Sequence, residues 1–138
     1  MAFTAPSEDI ERMRPAEGAA LGLTADAAVE AGQVVKLTGD LAVSPSNTDG
    51  EQCIGVSVQS VASGDQVTVL GNSARVLLTA GAAVSAGDPL ASHGGTGEPG
   101  QVTTADGTGD TIVGYALESA GAQGDTFVAV LDLGGEVN

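Results

Sequence analysis

One passage of this chain occurs twice, and the repeat limits what the chain can fold into. Three blocks recur in the same order: residues 27–35 (AAVEAGQVV) as 82–90 (AAVSAGDPL), 54–58 (IGVSV) as 113–117 (VGYAL), and 64–69 (GDQVTV) as 124–130 (GDTFVAV). Chance similarity in a chain rich in alanine and glycine can produce one such match, but hardly all three in one order. The sequence therefore predicts two related halves joined in one small domain.

Each half has the pattern of short β-strands separated by frequent turns. Apolar and polar residues alternate over residues 53–61, which is typical of a strand with one buried and one solvated face. With 21 glycines and only three aromatic residues (two Phe and one Tyr), the core must consist of small apolar side chains in closely approaching strands. We expect an all-β fold, a small β-barrel or β-sandwich built from two similar halves over residues 21–138.

Residues 1–20 differ from the rest and are predicted to form an extended N-terminal arm. A short helix over residues 7–14 is possible, because Ser7 and the acids after it suit a helix start and Arg12 and Arg14 suit its end before Pro15. Such a short helix is marginal by itself. The segment is therefore either a frayed terminus or an arm that becomes ordered on a neighbouring subunit.

The charge balance is strongly acidic. Eighteen acidic residues against four basic ones give a net charge of −14, and Lys36 is the single lysine. Such self-repulsion is relieved by salt, as in proteins that live in concentrated salt, although an ordinary acidic protein kept soluble by its charge also fits. Direct nucleic-acid binding is disfavoured because clusters of Arg and Lys are absent. No apolar run could span a bilayer and no signal-peptide pattern is present, so we expect neither membrane association nor secretion.

Reactive groups are scarce in the sequence. Asp106 and Asp110 lie in a glycine-rich turn whose oxygens suit a hard cation, but the distal bidentate acid of a calcium loop is missing, so a plain turn is favoured. Residues 49–51 have the same ambiguity. His93 is the single histidine and is expected to be exposed in a loop, and Cys53 is expected to be a small buried hydrophobe. No catalytic set stands out, and we expect neither an enzyme nor a bound cofactor or metal.

Two further motifs resemble binding signals. Residues 95–100 match the glycine spacing of a dinucleotide-binding fingerprint, but no helix follows and Pro99 interrupts the segment. Duplicated Gly-Asp-rich β-halves also occur in cofactor-carrier domains, where a lysine at a hairpin tip holds the cofactor. Lys36 lies within a predicted strand instead, so a carrier or small-ligand-binding domain is a weaker alternative.

The repeated blocks resemble a family of capsid decoration (cement) proteins of tailed viruses. The resemblance rests on the Ala-Gly blocks 27–35 and 82–90, the Gly-containing strands at 54–58 and 113–117, and the Gly-Asp strands that follow; it covers about residues 18–133. It implies a non-enzymatic β-barrel-like subunit, made in the host cytoplasm, that sits on the outer capsid surface, commonly as a trimer. Its partner would be the major capsid protein, whose lattice it stabilises. A turret or vertex protein is the alternative within this class.

The resemblance gives the arm a possible role in attachment. The acidity suggests a virus of a halophilic archaeon as the source. The arm residues expected to contact the capsid or a neighbouring subunit are Phe3, Ile10, Arg12, Met13 and Arg14. Their basic groups would face carboxylates of an acidic capsid protein, and their apolar side chains would anchor the contact. Residues 91–100, which form a longer loop than their first-half counterpart, are a second expected contact.

Overall fold

The structure, a computed structural model, describes residues 20–95 and 99–137. Within these residues there are ten strands: β1 (Ala20–Ala25), β2 (Val34–Gly39), β3 (Ala42–Pro45), β4 (Gly55–Ser57), β5 (Gln66–Leu70), β6 (Arg75–Thr79), β7 (Pro89–Ser92), β8 (Val102–Thr104), β9 (Thr111–Ala116) and β10 (Thr126–Glu136). The described ranges contain no helix, and hence none that is long and apolar enough to cross a membrane. The predicted all-β class is confirmed.

The first five strands form a closed barrel in the order β1-β3-β2-β4-β5. β1 closes it by pairing antiparallel with β5, from Ala20 opposite Leu70 to Thr24 opposite Gln66, and parallel with β3. Apolar side chains on alternate strand positions fill the interior, as the two-residue period of a strand requires. The buried residues of this core are Leu23, Ala25, Val29, Val35, Val43, Val67 and Val69.

The last five strands repeat this arrangement with one difference. Their order is β6-β10-β9-β7-β8, which is the cyclic order of the first barrel opened between the first and third strands. At the opening, a single parallel bridge between Ala80 and Val102 remains where β1 and β3 form two pairs. The predicted duplication is thus present as one strand topology used twice.

The connections between strands correspond as closely as the strands do. The antiparallel bridge between Val29 and Val61 has its counterpart between Val84 and Ala120. The backbone N–H of Ala31 donates to Ser60 Oγ at 3.0 Å, and that of Ala86 donates to Ser119 Oγ at 3.0 Å. Gly32 and Gly87 have φ angles of 87° and 91° in the same turn, which explains why both repeats keep glycine there.

The two halves pack against each other through one continuous core. Val34, Cys53 and Val56 of the first half belong to the buried cluster that contains the interior of the second half. Backbone hydrogen bonds add to the contact, because Val34 N–H donates to Gly100 O at 3.1 Å and Gly100 N–H donates to Ser46 O at 2.7 Å. The halves therefore form one unit with a shared interior.

Two details of the strand prediction are corrected by the structure. Alternation over residues 53–61 was expected to give one buried and one solvated face, yet β4 spans only Gly55–Ser57 and all three of its residues are buried. The reason is that this short strand lies between the barrel interior on one side and the second half on the other. The loop predicted over residues 91–100 also begins later, since Ala91 and Ser92 belong to β7.

Candidate interaction surface

The predicted attachment residues lie outside the described part of the chain. Phe3, Ile10, Arg12, Met13 and Arg14, together with the possible helix over residues 7–14, all precede Ala20, the first residue described. Their roles stay predictions. The described part of the chain begins at Ala20, the first residue of β1, which is paired with Leu70 of β5.

The turn that carries the weak cation candidates is held by its own carboxylate. Asp110 Oδ2 accepts the backbone N–H of Gly107 at 3.0 Å, and Asp110 N–H donates to Gly107 O at 2.9 Å. Gly50 packs so tightly on this carboxylate that a Cβ there would collide with it. Asp106 is exposed. Within residues 20–95 and 99–137, no three His, Cys, Asp or Glu side chains come together as a metal-binding group.

The corresponding turn of the first half is built in the same way. Glu51 Oε2 accepts the backbone N–H groups of Asn47 and Thr48, both at 2.7 Å. Lys36 Nζ lies 3.3 Å from Glu51 Oε1 and donates to Asn47 Oδ1 at 2.7 Å. Lys36 thus stabilises this turn from within β2, whereas a cofactor-carrying lysine would need a free amino group at a hairpin tip.

His93 lies in a loop, as expected, but its side chain is only partly exposed rather than fully in solvent. Its side chain is 23% exposed, and its Nδ1 lies 3.9 Å from Asp49 Oδ1. The ring is packed so closely against Gly81 and Gly95 that a Cβ at either position would collide with it. The same Asp49 oxygen accepts the N–H of Gly94 at 2.6 Å. His93 is therefore a packing residue between the two halves.

Cys53 is buried, as the sequence predicts. Burial raises the pKa of the Cys53 thiol to about 12, with a further contribution from the negative charge of Glu51. A thiol with this pKa is almost entirely protonated at neutral pH, and the thiolate is the nucleophilic form. The structure therefore gives Cys53 a packing role and no nucleophilic one.

Exposed large apolar side chains occur on both halves, and three of them form a set on the second half. Leu77, Tyr115 and Leu117 are 56%, 36% and 51% exposed. Leu77 of β6 is paired with Val128 of β10, whose carbonyl accepts the N–H of Leu117. Sequence reasoning missed these residues because each lies in an ordinary strand pattern. The available signal was a mismatch between the repeats, since Tyr115 stands where the first half has Val56.

A shallow cleft lies beside this set, at the seam between the halves. It has a volume of about 330 Å³, and Val58, Leu70 and Leu77 contribute to its apolar lining. Val58 is 45% exposed at its rim. Together, the turns, the protonated thiol and the exposed apolar side chains indicate a molecule suited to making contacts rather than to chemistry.

The sequence model described as "Phage cement protein" matches residues 15–131 of the chain. The chain belongs to the phage cement protein family. This confirms the predicted family and indicates a structural, non-enzymatic, capsid-associated component of a virion. No curated protein matches this chain significantly.

The chain also has the fold of a solved phage structure, the head fiber gp8.5 N base of bacteriophage phi29. The TM-score is 0.63 at 23% sequence identity, over 83% of this chain and 93% of that one. At this identity the likeness concerns the fold. It supports the all-β architecture over most of the length of the chain.

Proposed function

We propose that this protein binds the outer surface of a viral capsid, contacts the major capsid protein and stabilises its lattice as a homo-oligomer, most simply a trimer. The observation that carries the proposal is the match of the cement protein family over residues 15–131. A cement protein adds contact area between subunits, and a stable contact buries on the order of 1,200–2,000 Å². Exposed apolar strand residues such as Tyr115 and Leu117 are suited to that role.

The proposed attachment element is the N-terminal arm, residues 1–20. Arg12 and Arg14 are two of the four basic residues of a chain with net charge −14, so positive charge is concentrated there. The described residues contribute only two more basic side chains, Lys36 and Arg75. The arm also contains four acidic residues, so an acidic capsid protein would be attracted locally, through the two arginines, while Ile10 and Met13 supply apolar contacts.

Deletion of residues 2–15 tests this attachment. We expect the shortened protein to keep its melting temperature and β-sheet circular dichroism, because every described strand begins at Ala20 or later. It should no longer decorate capsids that lack the protein, as measured by co-sedimentation and occupancy in a particle reconstruction. Loading of the shortened protein at full occupancy would refute the role of the arm.

A pair of matched variants separates charge from length. Replacing Arg12 and Arg14 by Ser should weaken capsid binding and make the remaining binding less sensitive to salt. Replacing Glu8 and Glu17 of the same segment by Gln alters two charges but keeps both arginines, so binding should be retained. Equal loss in both variants would argue against recognition of the arginines.

A second placement is favoured by one specific observation. The solved structure with the same fold is named as the base of a head fiber. On that precedent the protein could sit under a projecting fibre or at a vertex turret. The position of its density in a reconstruction of the virion distinguishes a vertex from the lattice of the outer surface.

A further inference from the structure

The outer face of the second sheet carries an apolar row that stays accessible. Pro89, Tyr115 and Val130 lie side by side on β7, β9 and β10, because Tyr115 is paired with both of the others. Arg75 of β6 extends the row opposite Val130. Tyr115 is 36% exposed, and Pro89 and Val130 are half-buried. We call these four residues the outer row.

The first half has a corresponding row, of which two members are buried, one is half-buried (Leu70) and one is exposed (Ala20). Registered strand pairs place its four members side by side on β2, β4, β5 and β1: Val34, Val56, Leu70 and Ala20. The repeat aligns Val34 with Pro89 and Val56 with Tyr115. Yet Val34 is 0% and Val56 is 2% exposed, because both pack against the second half. We call this set the inner row.

Val56 and Leu70 of the inner row face the edge of β6 across the cleft at the seam between the halves, and this edge has a counterpart in the first half. Val76 of β6 belongs to the buried cluster that receives Val34 and Val56, and it is 7% exposed. Its equivalent in the first half is Leu21, because Val76 is opposite Ala129 and Leu21 is opposite Val69 in matching strand pairs. Leu21 is 41% exposed. The edge of β1 at Leu21 is therefore exposed, whereas the equivalent edge of β6 at Val76 is buried.

We propose that the outer row of one copy packs against the Leu21 edge of β1 in a second copy, repeating between chains the contact that joins the two halves within one chain. The two surfaces differ, so the contact is head-to-tail and generates a ring or a filament. This specifies the self-association part of the proposed function. It does not depend on binding to a capsid.

The chemistry of the outer row suits a second copy of the chain. None of its four residues carries a carboxylate, although the chain has 18 acidic residues. The exposed carboxylate of Asp132 lies two residues beyond Val130 on the same face of β10, so its repulsion of a second acidic copy is weakened by the molar salt of the test. Tyrosine and arginine are enriched at the centres of protein interfaces, and the row contains Tyr115 together with Arg75.

The test measures the mass of the purified protein in molar salt by light scattering after gel filtration. We expect the wild type to be an oligomer, and Tyr115→Asp and Leu21→Asp each to fall to the 13.4 kDa of one chain. The control is Leu37→Asp, a leucine of β2 that is more exposed (55%) than Leu21 or Tyr115 and lies in neither surface. It should keep the wild-type mass. Circular dichroism and melting temperature establish that each variant is folded.

Mixing the two variants tests the head-to-tail geometry. Each variant retains one intact surface, so Tyr115→Asp and Leu21→Asp together should form a dimer containing one copy of each, seen by native mass spectrometry. If Tyr115→Asp does not fold, Leu117→Asp replaces it, because Leu117 directly follows β9, two residues beyond Tyr115, and is also exposed. A monomeric wild type, or variants that keep the wild-type mass, would overturn the proposal. A mixture that stays monomeric would overturn the head-to-tail contact.

A failure of this test is distinguishable from a failure of the proposed function. Self-association through these surfaces without capsid binding would remove the capsid role and leave the contact standing. Capsid binding by variants that no longer self-associate would leave the capsid role standing and show that it does not require this contact.

Discussion

Gly55 and Gly114 occupy the same position in the two repeats, and single residues of this kind hold the strands together. A Cβ at Gly114 would collide with the carbonyl oxygen of Val130, and one at Gly55 with that of Leu70. The glycine lets β9 approach β10, and β4 approach β5, with the backbones in close contact. The sequence showed both glycines in matching blocks, but the reason for them is visible only once the neighbouring strand is in place.

The first prediction concerns this close approach. Gly114→Ala should lower the free energy of unfolding by about 2–3 kcal/mol, because β9 and β10 must separate to admit the methyl group. Chemical denaturation measures the change. Gly121→Ala is the matched control, since its nearest neighbouring atom beyond the adjacent residues would lie 3.8 Å from the new Cβ. It should change stability by less than about 0.5 kcal/mol. Equal losses in the two variants would contradict the steric explanation.

Local pattern also predicted the environment of some single residues better than others. Cys53 was expected to be buried because it adjoins an apolar strand, and it is. His93 was expected in solvent because glycines surround it in the sequence. Its ring packs against Gly81, which is distant from the 92–95 segment in the order of strands. Such a contact depends on how the strands of the second half fold together, and local sequence does not predict it.

The sequence predicted most of the strands, but it did not predict whether a strand is buried on one face or on both. The repeats indicated two halves of short strands, and the structure has five strands in each half with one cyclic order. The two-residue period identifies a strand but does not tell how many of its faces are covered. β4 reads as a half-exposed strand in the sequence, yet both its faces are buried because the second half covers the outer one.

The second prediction tests this covering of β4. Val56→Ala should lower the free energy of unfolding by about 2 kcal/mol, because Val56 is 2% exposed and its removal leaves a cavity between the halves. Val58→Ala serves as the comparison, since Val58 is two residues further along and 45% exposed. It should cost less than about 0.5 kcal/mol. Thermal denaturation of both variants in the same salt measures the difference, and a cost at Val58 as large as at Val56 would show that the outer face of β4 is not specially buried.

For the whole molecule, the sequence predicted the fold class and the family, and left the contact surface open. The expectation of a non-enzymatic protein rested on residue types, because no catalytic set stands out in the sequence. The outer row could not be predicted, since its exposure depends on which half covers which. The two halves use different surfaces in their contact. The second half covers Val34 and Val56 of the first, whereas no described residue covers Tyr115 of the second to the same extent.

The last prediction concerns the net charge of −14, which acts on the whole molecule. Repulsion among surface carboxylates is screened over a Debye length of about 10 Å at 0.1 M salt and about 3 Å at 1 M. An ordinary acidic protein should therefore gain most of its stability by about 0.2 M NaCl. If the protein is adapted to concentrated salt, its melting temperature should keep rising strongly into the molar range. A melting temperature that levels off at low salt would remove the halophilic interpretation, and a flat one across the whole range would also show that repulsion contributes little to stability.

The Leu37→Asp and Tyr115→Asp variants, measured in the same series, establish whether self-association contributes to the rise, because only the second is expected to be monomeric.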